Sequence, residues 1–475
     1  MVEKIQKKLR DSKAARWTAL ALVAFTMLCG YILADIMAPL KGLLENQLSW
    51  NSSEYGFFTS AYGWFNVFLF MLIIGGIILD KMGIRFTGLM AAIIMVIGAA
   101  LKYYAISSYF PQSLVGVSWH LLWFDMKAQV VLAAVGFAIF GVGIEIAGVT
   151  VSKTIVKWFK GKEMALAMGL EMATARIGTA LALSISVPIA NIGQSDVSKP
   201  VLFALIMLCI GLIAFLMYTF MDTKLDKEQV EYDRINNVVD GEEAFRISDL
   251  FKIVTNKGWW YIALLCVLFY SAVFPFLKYA TDLMVQKFSV NQEWAGIIPA
   301  MLPFGTIILT PFFGNLYDKK GKGATIMIIG SIMLIFVHLI FSIPFINQWF
   351  IAILLIIVLG VAFSLVPSAM WPSVPKIIPE KQLGTAYSLI FWVQNWGLMG
   401  VPYLIGWVLE TYCKTGGGIY KVVNGVNVSV IQRYDYTIPM LIFTGFGVLA
   451  LIFTLLLKAE DKKKGYGLEL PNIKK

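Results

Sequence analysis

The sequence predicts an all-α membrane protein of twelve transmembrane helices, arranged as two pseudo-symmetric six-helix bundles. Three observations carry that prediction: the composition, the count of apolar runs, and an internal repeat. Of 475 residues, 59% are hydrophobic and 14% charged, with a mean hydropathy of +0.75, well above the roughly 45–50% apolar usage of soluble domains. Soluble, disordered, collagen-like and coiled-coil chains are excluded. Four cysteines, three of them inside apolar runs, give no disulfide framework. Two histidines in the whole chain leave little for metal ligation, so neither a metal nor a cofactor is expected.

About 20 apolar residues cross the hydrocarbon core, and twelve runs of that kind lie near 17–39, 54–79, 86–106, 128–152, 164–190, 200–221, 258–280, 294–317, 323–344, 349–371, 384–409 and 435–457. The first follows Lys4, Lys7, Lys8, Arg10, Lys13 and Arg16, as a signal peptide would. Its apolar stretch is long and no small-residue cleavage site follows, so it is expected to remain as span one. Spans one to six form residues 17–221 and spans seven to twelve residues 258–457, with tails at 1–16 and 458–475. Residues 222–257 form a linker that holds 15 charged residues. With the N-terminus inside, the inner loops carry about 29 Lys and Arg against about 7 outside, a bias that fixes orientation. It also accounts for the net charge of +10 without a nucleic-acid partner. Both tails and the linker are therefore expected on the cytoplasmic side.

The halves repeat. Gly76-Ile-Ile-Leu-Asp80-Lys81-Met-Gly83-Ile-Arg85 follows span two, and Gly314-Asn-Leu-Tyr-Asp318-Lys319-Lys-Gly321-Lys322 follows span eight, 238 residues later. Span five, beginning Lys162-Glu163-Met-Ala-Leu-Ala167, aligns with span eleven, beginning Lys381-Gln382-Leu-Gly-Thr-Ala386, which puts Arg176 on Asn395 and Gly178 on Gly397. Tyr31 matches Tyr270. Such symmetry is the mark of a duplicated transporter unit. Together with both G-x(3)-D-K-x-G loops, it resembles the major facilitator superfamily over essentially the whole chain. The resemblance implies two bundles that rock about a central cavity, with Asp80, Lys81, Arg85, Asp318 and Lys319 as gating residues.

A charge inside a span costs at least about 2.5–3.5 kcal/mol on insertion scales, so it marks a wet or paired site. The candidates are Asp35, Lys102, Glu145, Glu171, Arg176 and Lys278. Spans four and five form a hairpin turning near residue 160, and Glu145 and Arg176 lie at equal depth along it, about 23 Å from the turn. A buried Glu145/Arg176 pair is expected, able to exchange partners with a substrate. Asp35 and Lys278, near the outer ends of equivalent spans, are expected to gate the outer side or to touch substrate. Lys102, beside Tyr103 and Tyr104, is expected to anchor at the interface. Glu171 is five residues before Arg176, about 140° around the helix at 3.6 residues per turn, and is expected to face another neighbour. Glu145, Glu171 and Asp35 are the candidate proton sites. Tyr31, Tyr270, Phe274, Trp371, Tyr387, Trp392 and Asn395 are expected to line the substrate site. His338 is expected to be a satisfied polar residue, and Pro39, Pro188, Pro275, Pro311, Pro367, Pro372 and Pro402 are expected kinks.

Absent residues narrow the substrate. Neither span two nor span eight carries the arginine of nitrate porters, span one carries Asp35 where a phosphate porter needs a base, and the motifs of drug/proton antiporters and oligopeptide symporters are missing. Several segments match positively: Tyr270-Ser-Ala-Val-Phe-Pro275-Phe276, Ser368-Ala-Met-Trp371-Pro372, Leu383-Gly-Thr-Ala-Tyr387, Gln394-Asn395-Trp-Gly397, and Trp158-Phe-Lys160-Gly-Lys162-Glu163 leading to Arg176-Ile-Gly178. They resemble the branch containing the lysosomal dipeptide transporter and its bacterial relatives. That resemblance implies a dipeptide or similar zwitterion as substrate, with Glu145 meeting its amino group and Arg176 its carboxylate. Facilitated transport is implied; the alternative is proton symport of organic anions or other amino-acid-like metabolites. With no dileucine signal in the N-terminal tail and only two sequons, at Asn51 and Asn427, a bacterial cytoplasmic membrane, a monomer and no accessory subunit are expected. A membrane enzyme or a transport-fold sensor is the distant alternative, since neither a catalytic motif nor room for an output domain is found.

Overall fold

The computed structural model describes residues 12–121, 124–159, 163–236, 247–379, 382–423 and 426–472. The basic residues up to Arg10, and Lys160, Lys162 and Lys381 of the motifs before spans five and eleven, lie outside them. Among the described residues, ten helices are long and apolar enough to cross a membrane. Span one is Lys13–Asp35, prolonged through a 3-10 turn at Ala38–Leu40 into Lys41–Leu48; span twelve is Thr437–Lys464.

Two predicted spans fall outside the ten. Segment 54–79 is broken into Ser52–Ser60, a turn at Ala61–Gly63, Trp64–Phe68 and the start of Met71–Ile106. Segment 384–409 forms the helix Leu383–Tyr412, 30 residues long; Gln394, Asn395 and its tryptophans dilute its hydropathy. Span four is Ala128–Phe159, span five Met164–Ala190, span eight Ile297–Lys320, span nine Gly323–Ser342 and span ten Trp349–Ile377. Span six, Ser198–Asn236, runs well into the predicted linker, and a short helix, Ile247–Val254, precedes span seven.

The repeated loop motif acquires a structural reason. Met71–Ile106 joins the end of span two to span three across Gly83, whose φ of 78° and ψ of 174° are not helical, and Gly321 turns the second copy at φ 67°. Gly83 occupies a region that is essentially closed to residues with a Cβ, at a cost of order 1–3 kcal/mol. A Cβ on Gly83 meets nothing within 4 Å, whereas one on Gly321 lies 2.4 Å from the Glu469 carbonyl oxygen. Gly321→Ala is therefore expected to destabilise more than Gly83→Ala, with both lowering the thermal unfolding midpoint.

The duplication reappears as packing. In lipid, helices associate through small residues that let backbones approach. A Cβ on Gly178 of span five would lie 2.6 Å from the Leu28 oxygen of span one, and one on its repeat partner Gly397 would lie 2.0 Å from Ser271 Oγ of span seven. Gly98 and Gly136 fit spans three and four together in the same way. Span seven is interrupted: Lys257–Ser271 and Phe274–Gln286 are separate helices. His338 Nε2 donates to the freed Ala272 carbonyl at 2.9 Å. Its Nδ1 has no partner, so only one ring nitrogen of this predicted satisfied residue is satisfied. Pro39 lies in the break after span one and Pro275 in the first turn after the span-seven break, while Pro188, Pro311, Pro367, Pro372 and Pro402 lie inside helices.

Two antiparallel hairpins were not predicted: β1 (Ser118–Leu121) with β2 (Phe124–Lys127), and β3 (Lys414–Val423) with β4 (Val426–Tyr434). They lie on the face opposite the chain termini. On that face the two halves close against each other. Lys278 Nζ reaches Asp35 Oδ1 at 2.5 Å and the Ala34 oxygen at 2.8 Å. Tyr55 Oη donates to the Lys278 oxygen at 2.9 Å, and the Ser52 amide donates to Glu410 at 3.2 Å. Lys41 Nζ, 1% exposed, bridges Glu45 at 2.6 Å and Asp282 at 3.0 Å, under the Tyr434 ring at 4.3 Å. Backbones meet where Gly56 packs on Pro402 and Gly406, and Gly296 on the Leu183 oxygen. Asn51, one of the two sequons, is occupied as a helix cap in a capping box with Glu54.

Candidate functional site

The candidate site lies where spans one, four and five meet spans seven, ten and eleven. Gly141, four residues before Glu145, leaves room for the Tyr62 carbonyl, which a Cβ there would approach to 2.2 Å. Asn66 Nδ2 holds the same contact by donating to the Gly141 oxygen at 3.2 Å. The turn at Ala61–Gly63 is thereby seated on span four, and Tyr62 Oη donates to Glu145 Oε1 at 2.8 Å. Phe137 packs against Tyr62 and Phe58, with ring centroids 5.6 and 5.1 Å away.

The expected Glu145/Arg176 ion pair is not formed. Arg176 turns to the other half, its guanidinium 5.4 Å from the Phe274 ring centre and 5.3 Å from that of Phe363. Hairpin arithmetic fixes depth, and depth carries no information about direction around the helix. Glu171, expected to face another neighbour, forms no ion pair with Arg176, though the Arg176 charge acts on its carboxylate. Tyr31, held against span five by the close approach at Gly178, is the common neighbour: the charges of Arg176, Glu145, Glu171 and Asp35 all act on its hydroxyl.

Across the seam, Trp371 Nε1 donates to Tyr270 Oη at 3.0 Å and Tyr387 Oη donates to the Trp371 oxygen at 3.1 Å. Tyr270, Phe274 and Phe363 form one ring cluster, with centroids 5.4 to 5.5 Å apart. Tyr31, Arg176, Tyr270, Phe274, Trp371 and Tyr387 are thus brought together as predicted. Trp392 and Asn395 are not among them. Trp392 donates to the Val67 oxygen at 3.2 Å and stacks on Phe70, and Asn395, 1% exposed, is buried at the seam beside Gly63. Asp35 and Lys278 pair with each other on the closed face. Lys102 is no interfacial anchor: it is fully buried, donating to the Leu33 oxygen at 3.2 Å beneath Phe137.

The loop residues also find unexpected partners. Asp80 pairs with Lys153 of span four at 2.8 Å. Arg85 reaches Asp226 at 3.2 Å and Asp222 at 4.0 Å, and Lys157 pairs with both at 2.6 and 2.8 Å. Asp222, assigned to the linker by sequence, is 1% exposed and also accepts from Trp158 and Tyr218. Asp318 accepts from Asn472 Nδ2 at 2.7 Å. Lys81 and Lys319 are exposed.

Sequence reasoning missed Tyr62, Phe363, Asp222 and the Lys41, Glu45, Asp282 cluster. The last was missed because spans one and seven were ended at 39 and 280, whereas the helices run to Leu48 and Gln286. Among the described residues no group of three or more His, Cys, Asp or Glu is placed to hold a metal.

Comparison with known proteins agrees with this architecture. The chain is 26% identical over 411 residues to the lysosomal dipeptide transporter MFSD1 of Bos taurus, covering 84% of this chain and 80% of the relative. It is 30% identical over 292 residues to the same transporter of Gallus gallus, covering 59% and 63%. Its fold matches a bacterial homologue of the human lysosomal transporter Spinster with a TM-score of 0.68 at 14% identity, over 95% of this chain and 98% of that one. The Major Facilitator Superfamily model matches residues 20–402; the chain is a multi-pass membrane transporter and belongs to the major facilitator superfamily.

Proposed function

We propose that this transporter moves small zwitterions, dipeptides foremost, by alternating access, holding the amino group at Glu145 and the carboxylate at Arg176. Arg176 carries the proposal. Among the described residues it makes no ion pair, and it rests on rings of the opposite half. Two cation–π contacts return about 0.5–2 kcal/mol each, comparable with the least that a charge at that depth costs, and they use the ring-facing surface of the guanidinium only. The N–H edges of a guanidinium lying over ring faces remain open to a planar carboxylate. Tyr62 orients Glu145, both charges act on the Tyr31 hydroxyl, and Tyr270, Phe274, Trp371 and Tyr387 supply the wall. The relatives named as dipeptide transporters support the same substrate class.

The rocking units we assign are residues 17–221 and 258–457, joined through 222–257, with the tails 1–16 and 458–475 on a cytoplasmic face. The excess of Lys and Arg in those loops supports this orientation. A bacterial cytoplasmic membrane remains our proposed location on the sequence alone. Asp35 with Lys278 gates the closed face, and Asp80, Arg85 and Asp318 latch the other.

Purified protein screened for thermal stabilisation tests the substrate class. A dipeptide at 100 times its dissociation constant should stabilise the fold by about 2.7 kcal/mol, and Glu145→Gln should abolish that shift. An extended dipeptide separates its termini by about 7 Å against about 3.5 Å for an amino acid, so free amino acids should shift it less. Stabilisation by organic anions and by no dipeptide, unchanged in Glu145→Gln, would favour the alternative, anion symport using Arg176 alone with Glu171 as the proton carrier.

A further inference from the structure

At the terminal end of the second half, a cleft of about 430 Å³ opens between the helix Ile247–Val254, the start of span seven and the end of span twelve. Lys257, Lys463 and Lys464 line it together with Lys252, with Thr255, Asn256 and Tyr466 as further polar groups and, among the described residues, Glu460 as the one acid. Nothing in the transport mechanism uses it. All four lysines are exposed at its rim. Such an excess of ammonium groups in a concave site is matched by a phosphate anion.

The surroundings say which kind of phosphate. Trp260 and Tyr261 come three and four residues after Lys257 and are of the residue types that form aromatic belts between hydrocarbon and headgroups. Trp260 is 37% exposed, and its Nε1 donates to the Val254 oxygen at 2.7 Å, while Phe251 is 69% exposed on the adjoining helix turn. A basic cleft flanked by exposed apolar side chains suits a headgroup on the lysines and acyl chains along the apolar surface. We infer that the cleft is a binding site for the phosphodiester headgroup of an anionic phospholipid in the leaflet on the terminal face. The site ties the linker helix to the first and last helices of the second half. Its occupancy therefore stabilises that junction, independently of the substrate transported.

The test uses the full chain in a neutral detergent, titrated with phosphatidylglycerol, phosphatidylcholine or inorganic phosphate. The readouts are the thermal unfolding midpoint and the mass of lipid-bound protein in native mass spectrometry. Phosphatidylglycerol should bind saturably and raise the midpoint, and the other two should not. A lysine at an anionic surface contributes about 1 kcal/mol, about fivefold in affinity. Lys463→Gln with Lys464→Gln should therefore weaken binding about 25-fold and Lys257→Gln about fivefold, while the corresponding arginine variants retain it. Equal binding of phosphatidylcholine, unchanged binding by both glutamine variants, or an equal effect of inorganic phosphate would each overturn the lipid assignment.

Discussion

Replacing Arg176 with lysine is expected to weaken dipeptide binding about 10- to 150-fold while leaving the ligand-free fold nearly intact. The first figure follows from losing one charge-assisted hydrogen bond worth about 1.5–3 kcal/mol. A lysine keeps the charge but not the planar fork that meets a carboxylate with two parallel bonds. It also keeps part of the attraction to Phe274 and Phe363, whose rings lie 5.4 and 5.3 Å from the guanidinium, so the unliganded protein changes little. Arg176→Ala should remove both interactions. Isothermal titration with a dipeptide, beside thermal unfolding without ligand, separates the effects. Equal dipeptide affinity in wild type and Arg176→Lys would return Arg176 to a structural contact between the halves.

Lys41→Met is expected to have the larger structural effect. In the closed face this ammonium is 1% exposed and lies between Glu45 and Asp282, which are 7% and 4% exposed. Removing it leaves two carboxylates facing each other without a counter-charge, and breaking a buried pair in this way costs about 3–5 kcal/mol. Glu45 lies in the first half and Asp282 in the second, so the cost falls on the conformation that brings them together. A cysteine placed at Thr281, which is 1% exposed, should become accessible to a membrane-impermeant thiol reagent when Lys41 is replaced. Neutralising all three positions, Lys41→Met with Glu45→Gln and Asp282→Asn, should restore protection, because the penalty arises from unpaired charge and not from lost shape. Protection that is unchanged in Lys41→Met would show that the glycine contacts alone keep the face shut.

The sequence made the architecture readable because its constraints are periodic and local. Apolar runs report spans, and the repeated loop motif reports two turns whose second glycines, Gly83 and Gly321, have positive φ. The alignment of Gly178 with Gly397 anticipated two equivalent close approaches. What stayed hidden depends on direction and on long-range partners. Hairpin arithmetic sets Glu145 and Arg176 at equal depth, yet one meets Tyr62 and the other meets rings of the second half. The sequence singles out Asp35 and Lys278 together as an outer gate or substrate contact, and the closed face shows that they are each other's partner. Lys102 sits near a predicted helix end, where an exposed anchor is the ordinary expectation, but tight packing of Gly98 and Gly136 encloses it. The hairpin of β3 and β4 had a signal that the search for apolar runs passed over: Asn424-Gly425 between alternating apolar residues.

The central claim is that Glu145 and Arg176, held here on separate neighbours, converge on the two charged ends of one substrate. Counterflow in proteoliposomes measures it most directly. Vesicles loaded with an unlabelled dipeptide should accumulate labelled dipeptide through the wild-type protein. Glu145→Gln should spare uptake of a substrate lacking its amino group while abolishing dipeptide uptake, and Arg176→Ala should abolish both. Dipeptide counterflow that persists in Glu145→Gln and in Arg176→Ala would contradict the account.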